Sequence, residues 1–362
     1  MSARRQGERC IARCSLVQPS ALLIRLAAAS ALLCSGVIPS AAYADGGMPA
    51  AAAALAAPAL AAPLGSSPGA KLLRHGTAHD ALYDVTFEGG KGIAVGAFGN
   101  VLSTSDGGAT WQAQPFPMKH LALMAIAMRE GRCIAVGQTG LVYVAADCKT
   151  WKEAASVTKS RLLAVDVNRH GVAYAVGAFG TILKSTDWGQ SWAVQTVDWS
   201  GITEDGAEPH LYGVHVDEGG TATAIGEFEL VLRASDGAPW KTLHKGERSL
   251  FGLFVADGRK MYASGQSGAI LRSSDGGTTW ESLKTGTNAI LTGISATPHG
   301  EVIASGINAV VISRDGGATW NTVNSKLVRN TWYQALAVSE QTGGRRRLIA
   351  VGAGGSILEL DL

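Results

Sequence analysis

The feature that most constrains this chain is a short stretch that keeps returning. Ser103–Trp111 reads Ser-Thr-Ser-Asp-Gly-Gly-Ala-Thr-Trp, and it recurs as Ser273–Trp280 (Ser-Ser-Asp-Gly-Gly-Thr-Thr-Trp) and Ser313–Trp320 (Ser-Arg-Asp-Gly-Gly-Ala-Thr-Trp). Weaker copies end at Trp151, Trp192 and Trp240. Each copy closes a segment of about forty residues, and a fixed period in that range marks a repeat architecture.

Each unit opens with a short apolar run such as Leu82-Tyr-Asp-Val85 or Leu211-Tyr-Gly-Val214. A polar turn follows, then a small, β-branched run ending in glycine. Seven such runs end at Gly96, Gly137, Gly177, Gly226, Gly265, Gly306 and Gly352. A third run begins two or three residues later, and the Asp-Gly-Gly turn leads into a fourth headed by Trp. Four alternating runs between turn residues predict a four-stranded antiparallel meander. Seven of them in a ring predict an all-β, seven-bladed β-propeller, which protects its strand edges by closing. The last unit stops on its third strand. Lys71-Leu-Leu-Arg-His-Gly-Thr77 resembles Ser282-Leu-Lys-Thr-Gly-Thr287, so an N-terminal strand near 70–76 is expected to complete the seventh blade.

The turn itself reads as mortar. The Asp carboxylate can accept backbone N–H groups of its own turn, and the indole can bury its ring while its N–H finds an acceptor. This covers Asp106, Asp187, Asp236, Asp275 and Asp315 with Trp111, Trp192, Trp240, Trp280 and Trp320. The acids sit on successive blades, too far apart to act as a catalytic pair. The turn resembles the Asp-box of sialidase-type and related propellers.

The first 44 residues carry Arg4, Arg5, Arg9, Arg13 and Arg25, an apolar segment from Leu26 to Ile38, and Ala42-Tyr-Ala44 before Asp45. They read as a secretory signal peptide with a small-x-small cleavage site. Residues 45–69, rich in Ala, Pro and Gly, read as a linker, which leaves 70–362 for the propeller. The formal charge of +2 becomes about −2 once residues 1–44 are removed, which excludes general nucleic-acid binding. No membrane insertion after cleavage, no cofactor and a monomeric state are expected. Of five cysteines, Cys133 and Cys148 remain after cleavage. An exported compartment favours pairing them, whereas strict hairpin register separates them unless the turn folds back.

Function is sought where the repeat departs from itself. Trp192 and Trp240 are 48 residues apart, against 40 from Trp240 to Trp280. The excess falls in residues 198–210, where Glu204, Asp205, Glu208 and His210 can either ligate a hard cation or form a solvated acidic loop. Glu227 and Glu229 replace residues of the usual Gly-Ala-Phe-Gly turn, and read as an acid/base pair or a solvated face. Phe98, Phe179 and Phe228 occupy one turn position, as plugs against the next blade or as a patch for a protein partner. His79, Lys119, His120, Arg161, His210 and Arg248 precede the innermost strands, as a ring receptive to an anionic partner or as solvated turns. Arg345-Arg-Arg347 reads as a basic hairpin tip.

Over 70–362, the repeated Ala-Val-Gly-x-x-Gly-x-[Ile/Val]-Leu followed by Ser-x-Asp-Gly-Gly-x-Thr-Trp, as in Gly92–Trp111 and Gly265–Trp280, resembles the photosystem II stability/assembly factor family. That resemblance implies an exported, non-enzymatic propeller that binds a membrane or envelope protein through a basic patch, for which Arg161 and Arg248 are the candidates. The competing readings are a sialidase-type glycoside hydrolase and a carbohydrate-binding propeller. Sialidase chemistry needs three arginines and a Tyr–Glu pair. The sequence shows no Arg-Ile-Pro or Arg-Leu-Pro element near the first unit, and no Glu matched to Tyr212 or Tyr333.

Overall fold

The computed structural model describes residues 69–361, apart from 236, 257–258, 341–343 and 345. The signal peptide, the linker up to residue 68, Asp236 and Arg345 therefore lie outside the described residues. Among the described residues no helix is long and apolar enough to cross a membrane.

Seven four-stranded antiparallel sheets form the propeller. Blades 1 to 6 span residues 82–113, 123–153, 162–194, 211–244, 250–283 and 291–322. Blade 7 takes three strands from 333–360 and its outermost strand, Ala70–Arg74, from the other end of the chain. The innermost strands of neighbouring blades pack side by side around a central channel, and blade 7 closes onto blade 1. The second strands, such as Ala173–Gly177 and Val302–Gly306, are buried throughout because blades cover both their faces. Small and β-branched side chains suit that position. The core is the stack between blades: Ile134, Val136 and Val142 of blade 2 pack with Leu162, Val165 and Ala175 of blade 3.

The glycine that ends each second strand has one structural reason in all seven blades. A Cβ there would fall on the carbonyl oxygen just before the innermost strand: Ala81 for Gly96, Ala122 for Gly137, Arg161 for Gly177 and Trp332 for Gly352, with the same contact at Gly226, Gly265 and Gly306. The residue after each glycine donates its N–H to that same oxygen, from Ala97 to Ala81 (3.0 Å) round to Ala353 and Trp332 (3.1 Å). This bond pins the turn between strands two and three to the start of strand one. The innermost strand then slips register by one residue, as between Leu82 and Asp84.

The Asp-box turns pin the opposite face. The Asp315 carboxylate accepts the Thr319 N–H at 2.8 Å, the Thr319 hydroxyl at 2.6 Å and the Ser313 hydroxyl at 2.7 Å, while the Trp320 indole donates to Gly317 O at 3.0 Å. Asp106, Asp187 and Asp275 repeat the pattern. Each turn rests on the preceding blade: Gly108 lies against Ile349, Gly189 against Ile134, and Gly317 against Leu283. Arg347 strengthens one such seam. Its guanidinium donates to Glu359 in blade 7 (2.9 Å) and to Asp106 O in blade 1 (3.0 Å). Arg347 is therefore a seam residue and not a solvated hairpin tip, while Arg346 pairs with Glu340 at 3.1 Å.

Blade 2 departs from the pattern. Asp147 is followed by Cys148, its turn is one residue shorter, and the Trp151 indole N–H is buried without a protein partner. Cys148 adopts the left-handed backbone (φ 54°) that glycine takes at this place in blades 1, 5 and 6. That folds the turn back over the second strand and brings Cys148 to a Cα–Cα distance of 5.0 Å from Cys133, to which it is disulfide-bonded. Strict register, which separates the two, fails because it takes no account of the left-handed residue.

At the closure, Ala70, Lys71 and Leu72 pair with Leu360, Glu359 and Leu358. Arg74 donates to Gly355 O (3.0 Å), and His75 Nδ1 meets the Ser356 hydroxyl (2.8 Å). Deleting residues 70–76 strips blade 7 of its outer strand. The melting temperature is expected to fall by roughly 10 °C or more, since each kcal/mol is worth about 2–4 °C in domains approaching this size; an unchanged melt excludes the latch. Hydrogen bonds from Thr279 and Thr319, with those from Ser273 and Ser313, hold Asp275 and Asp315 down at about 2. A depressed carboxyl stabilises the fold above its unfolded value of about 4 and loses that contribution as pH falls through its folded value. Melting temperature measured against pH is expected to drop between about 4 and 2, and Asp275→Asn with Asp315→Asn should flatten that drop.

Candidate functional site

The chain direction gives the two faces different chemistry. The lower face carries the Asp-box turns. The upper face carries the turns between strands two and three and the connections between blades. Among the described residues, six exposed large apolar side chains lie on the upper face: Phe98, Val157, Phe179, Phe228, Ile290 and Ile307. The other two, Leu72 and Val194, lie on outer strands.

Phe98, Phe179 and Phe228 stand at the apex of their turns with φ of 54°, 53° and 59°. Thr139, Ser267 and Asn308 take the same left-handed apex in blades 2, 5 and 6. The left-handed apex aims the side chain away from the disc. The phenylalanines are accordingly 57%, 64% and 40% exposed, and do not plug the next blade. A bulky residue in this backbone region is strained by about 1–3 kcal/mol, and such strain clusters at functional sites.

The predicted cation ring divides in two. His79, Lys119, His120 and Arg161 are exposed. Lys119, Lys159 and Arg161 form no ion pair among the described residues, and residues 97–100, 114–122, 138–141, 154–161 and 178–181 contain no Asp or Glu. The upper face of blades 1 to 3 is thus a cationic sector bounded by Phe98 and Phe179. The connection that follows carries Asp198, Glu204, Asp205 and Glu208. Asp198 caps a short turn by accepting Ser200 N–H (3.1 Å), and Asp205 sits in left-handed backbone. Among the described residues no three His, Cys, Asp or Glu side chains come together as a metal-ligating group.

Arg248 and His210 belong to a built network in blade 4. Glu229 stands in left-handed backbone (φ 48°) where blades 1, 2, 3 and 5 have Gly99, Gly140, Gly180 and Gly268. It is buried, and its carboxylate is ion-paired with Arg248 and lies within hydrogen-bond distance of His244 Nε2 (3.2 Å). Gly246 leaves the room: a Cβ there would strike the Glu229 carboxylate. Glu227 accepts the His210 backbone N–H at 2.7 Å and meets the Tyr212 hydroxyl at 3.5 Å. Neither glutamate lies on a solvated face: Glu227 turns back to the start of its own innermost strand at His210 and Tyr212, and Glu229 turns toward the next connection at Arg248. His210 Nδ1 accepts the Phe179 N–H at 3.1 Å, which puts its ring proton on Nε2. The rings then run inward in edge contact, Phe179 to His210 (5.0 Å), His210 to Tyr212 (6.3 Å) and Tyr212 to Phe251 (4.9 Å).

Tyr212 and Phe251 reach the channel, whose cavity of about 220 Å³ is also lined by Tyr83, Met124 and Leu163. None of the predicted cations lines it. Asp84 does: it clamps blade 1 to blade 2 by accepting Ile126 N–H (2.9 Å), where other blades have Ala125, Ala164 or Gly213, and burial pushes its carboxyl up to about 7. Tyr212 does have a glutamate opposite, which sequence spacing does not reveal. Burial and the Glu227 charge push its hydroxyl up to about 12. A nucleophilic tyrosinate needs the reverse shift, and no arginine lines the cavity.

Residues 143–305 match the family model of the photosystem II assembly factor YCF48. That span runs from the third strand of blade 2 to the second strand of blade 6. Over those residues the seven-bladed propeller is similar to YCF48. A search of the curated proteins returns no match. Among solved structures, YCF48 from Cyanidioschyzon merolae is 18% identical with a TM-score of 0.65, over 81% of this chain and 98% of that one. A YCF48 structure bound to D1 peptide is likewise 18% identical, with a TM-score of 0.63 over 82% and 100%. A catalytically inactive virginiamycin B lyase from Staphylococcus aureus with quinupristin is 11% identical, with a TM-score of 0.67 over 82% and 99%. At these identities the likeness shows the fold alone, which serves binding proteins and enzymes alike. The YCF48 match covers the blade 4 network and the Arg161 connection. The blade 1 residues Phe98, Lys119 and His120 fall outside it.

Arg248 and Glu229 permit a direct test of the network. Only Glu229 of this pair is buried, and it keeps His244 when Arg248 is removed, so the loss is that of a charged group left short of a partner, about 1–3 kcal/mol. Arg248→Ala is expected to lose most of that stability in urea melts. Arg248→Ala with Glu229→Gln should recover a large part of it; equal loss in both variants would contradict the pairing.

Proposed function

We propose that this chain is an exported, non-enzymatic propeller that binds a protein partner on its upper face and scaffolds assembly of a membrane or envelope complex. The observation that carries the reading is the cationic sector of blades 1 to 3, free of acids and bounded by Phe98 and Phe179 in strained, exposed positions. Uncompensated cations steer an acidic segment, and rigid aromatic side chains at a cationic rim make binding hot spots. The YCF48 match, and a YCF48 structure bound to D1 peptide, support a peptide segment of a membrane protein as the ligand. Export rests on the signal-like residues 1–44, and the Cys133–Cys148 bridge supports an oxidising compartment.

A photo-crosslinking residue placed at Phe179 in intact cells is expected to capture a membrane protein, while the same residue at Ser103 on the third strand of blade 1 should not. With the photo-crosslinking residue kept at Phe179, Lys119→Glu with Arg161→Glu should cut capture at least tenfold, about 1.4 kcal/mol, without lowering the melting temperature. Equal capture from both positions, or full capture by the double variant, overturns the reading. Mass spectrometry of the mature N-terminus tests export, with cleavage after Ala44 as the expected result.

A further inference from the structure

The lower face holds a cleft between blades 2 and 3 that the partner-binding reading does not use. Arg132 begins the second strand of blade 2, one residue before Cys133, as Arg347 stands one residue before Leu348 in blade 7. Arg347 has its donors filled by Glu359 and by Asp106 O. Arg132 has neither. The strand position of Glu359 is taken by Val144, since Ile349 pairs with Glu359 and Ile134 with Val144. The next blade offers an indole ring in place of a carbonyl: the guanidinium carbon of Arg132 stands 4.8 Å from the centre of the Trp188 ring.

Trp188 follows Asp187, at the place of Gly107, Gly276 and Gly316 in blades 1, 5 and 6, and keeps their left-handed backbone with φ 63°. A large aromatic residue persists there only when its surroundings hold it. They do: Gly171 is bare against the indole, Trp188 N–H donates to Gly171 O at 3.0 Å, and the ring packs with the cluster that contains Val165 and Trp192. The guanidinium over the indole makes no hydrogen bond or ion pair among the described residues, so its donors stay available. Lys152, paired opposite Val144 on the outermost strand, is also without an ion pair among the described residues. Both border a cleft of about 390 Å³ that includes Val144, Ala145, Ala146 and Asp147, whose carboxylate is taken up by its own turn through Lys149 N–H, Thr150 N–H and the Thr150 hydroxyl.

We propose that this cleft binds a small organic carboxylate, gripped by the edge of Arg132, balanced by Lys152, with its apolar body over Val144 and Ala146. A guanidinium presents a planar fork that matches a carboxylate two bonds at a time. The contact with Trp188 restrains the guanidinium before binding, which lowers part of the ordering cost. The volume lies within the range of about 300–1,000 Å³ typical of small-molecule sites.

The probe is benzoate, titrated into the full chain while the indole N–H resonance of Trp188, assigned by its loss in Trp188→Phe, is followed by NMR. A saturable shift is expected, weakened at least tenfold in Arg132→Gln and weakened in the exposed Lys152→Gln, with inorganic phosphate a poor competitor. Melting temperatures of both variants are measured alongside, so a merely structural role for Arg132 shows as lost stability with unchanged benzoate affinity. That result overturns the proposal. So does the absence of a saturable shift at millimolar benzoate, or phosphate binding as tightly as benzoate.

Discussion

Seven times around the disc, a backbone N–H donates to the carbonyl oxygen that precedes an innermost strand, and seven times a glycine stands where any side chain would push the two apart. Everything on the upper face hangs from that bond. It sets the height of each turn between strands two and three, and with it the left-handed apex from which Phe98, Phe179 and Phe228 project. It also fixes where each innermost strand starts, hence which side chains meet in the channel. A close approach of two main chains is a stricter demand than hydrophobic patterning. Apolar residues can exchange with one another at modest cost, but nothing replaces a missing Cβ.

The repeat, the blade count, the shared last blade and the structural role of the Asp-boxes were legible because each is a matter of period. Residues about forty positions apart do the same thing, so one unit explains the others. The misjudged positions are those where one blade differs. Glu229 reads as solvated because its turn is normally at the surface; it is buried because Gly246, in the next connection, makes space for it. For Cys133 and Cys148 the sequence leaves pairing and separation both open, and they are bonded because one residue turns left-handed. The Tyr212–Glu227 contact joins a strand to the turn at the end of the adjacent strand, 15 residues on. Such contacts depend on turn conformation or on the neighbouring connection, which no spacing rule within a unit encodes.

The two faces differ in how completely their polar groups are used. Below, the Asp-box carboxylates are saturated by their own turns, and Arg347 is absorbed by the seam between blades. Above, blade 4 is saturated in its own way, with Glu229 ion-paired to Arg248 and in hydrogen-bond contact with His244. On the upper face of blades 1 to 3, Lys119, Lys159 and Arg161 form no ion pair among the described residues. In a fold this repetitive, an unfilled donor beside a strained aromatic residue is the most specific mark of use that the side chains carry. Phe179 near Arg161 is one example on the upper face, and Trp188 under Arg132 is another on the lower.

The strand at 70–74 and its partner at 357–360 are separated by nearly the whole described chain. A ribosome therefore makes the first piece of the last sheet long before the piece it must join. Until residues 333–360 emerge, blade 7 is absent and the inner edge of blade 1 has no neighbour on that side. No nascent chain that stops short of the strand at 357–360 can hold a finished ring, however well its first six blades are formed.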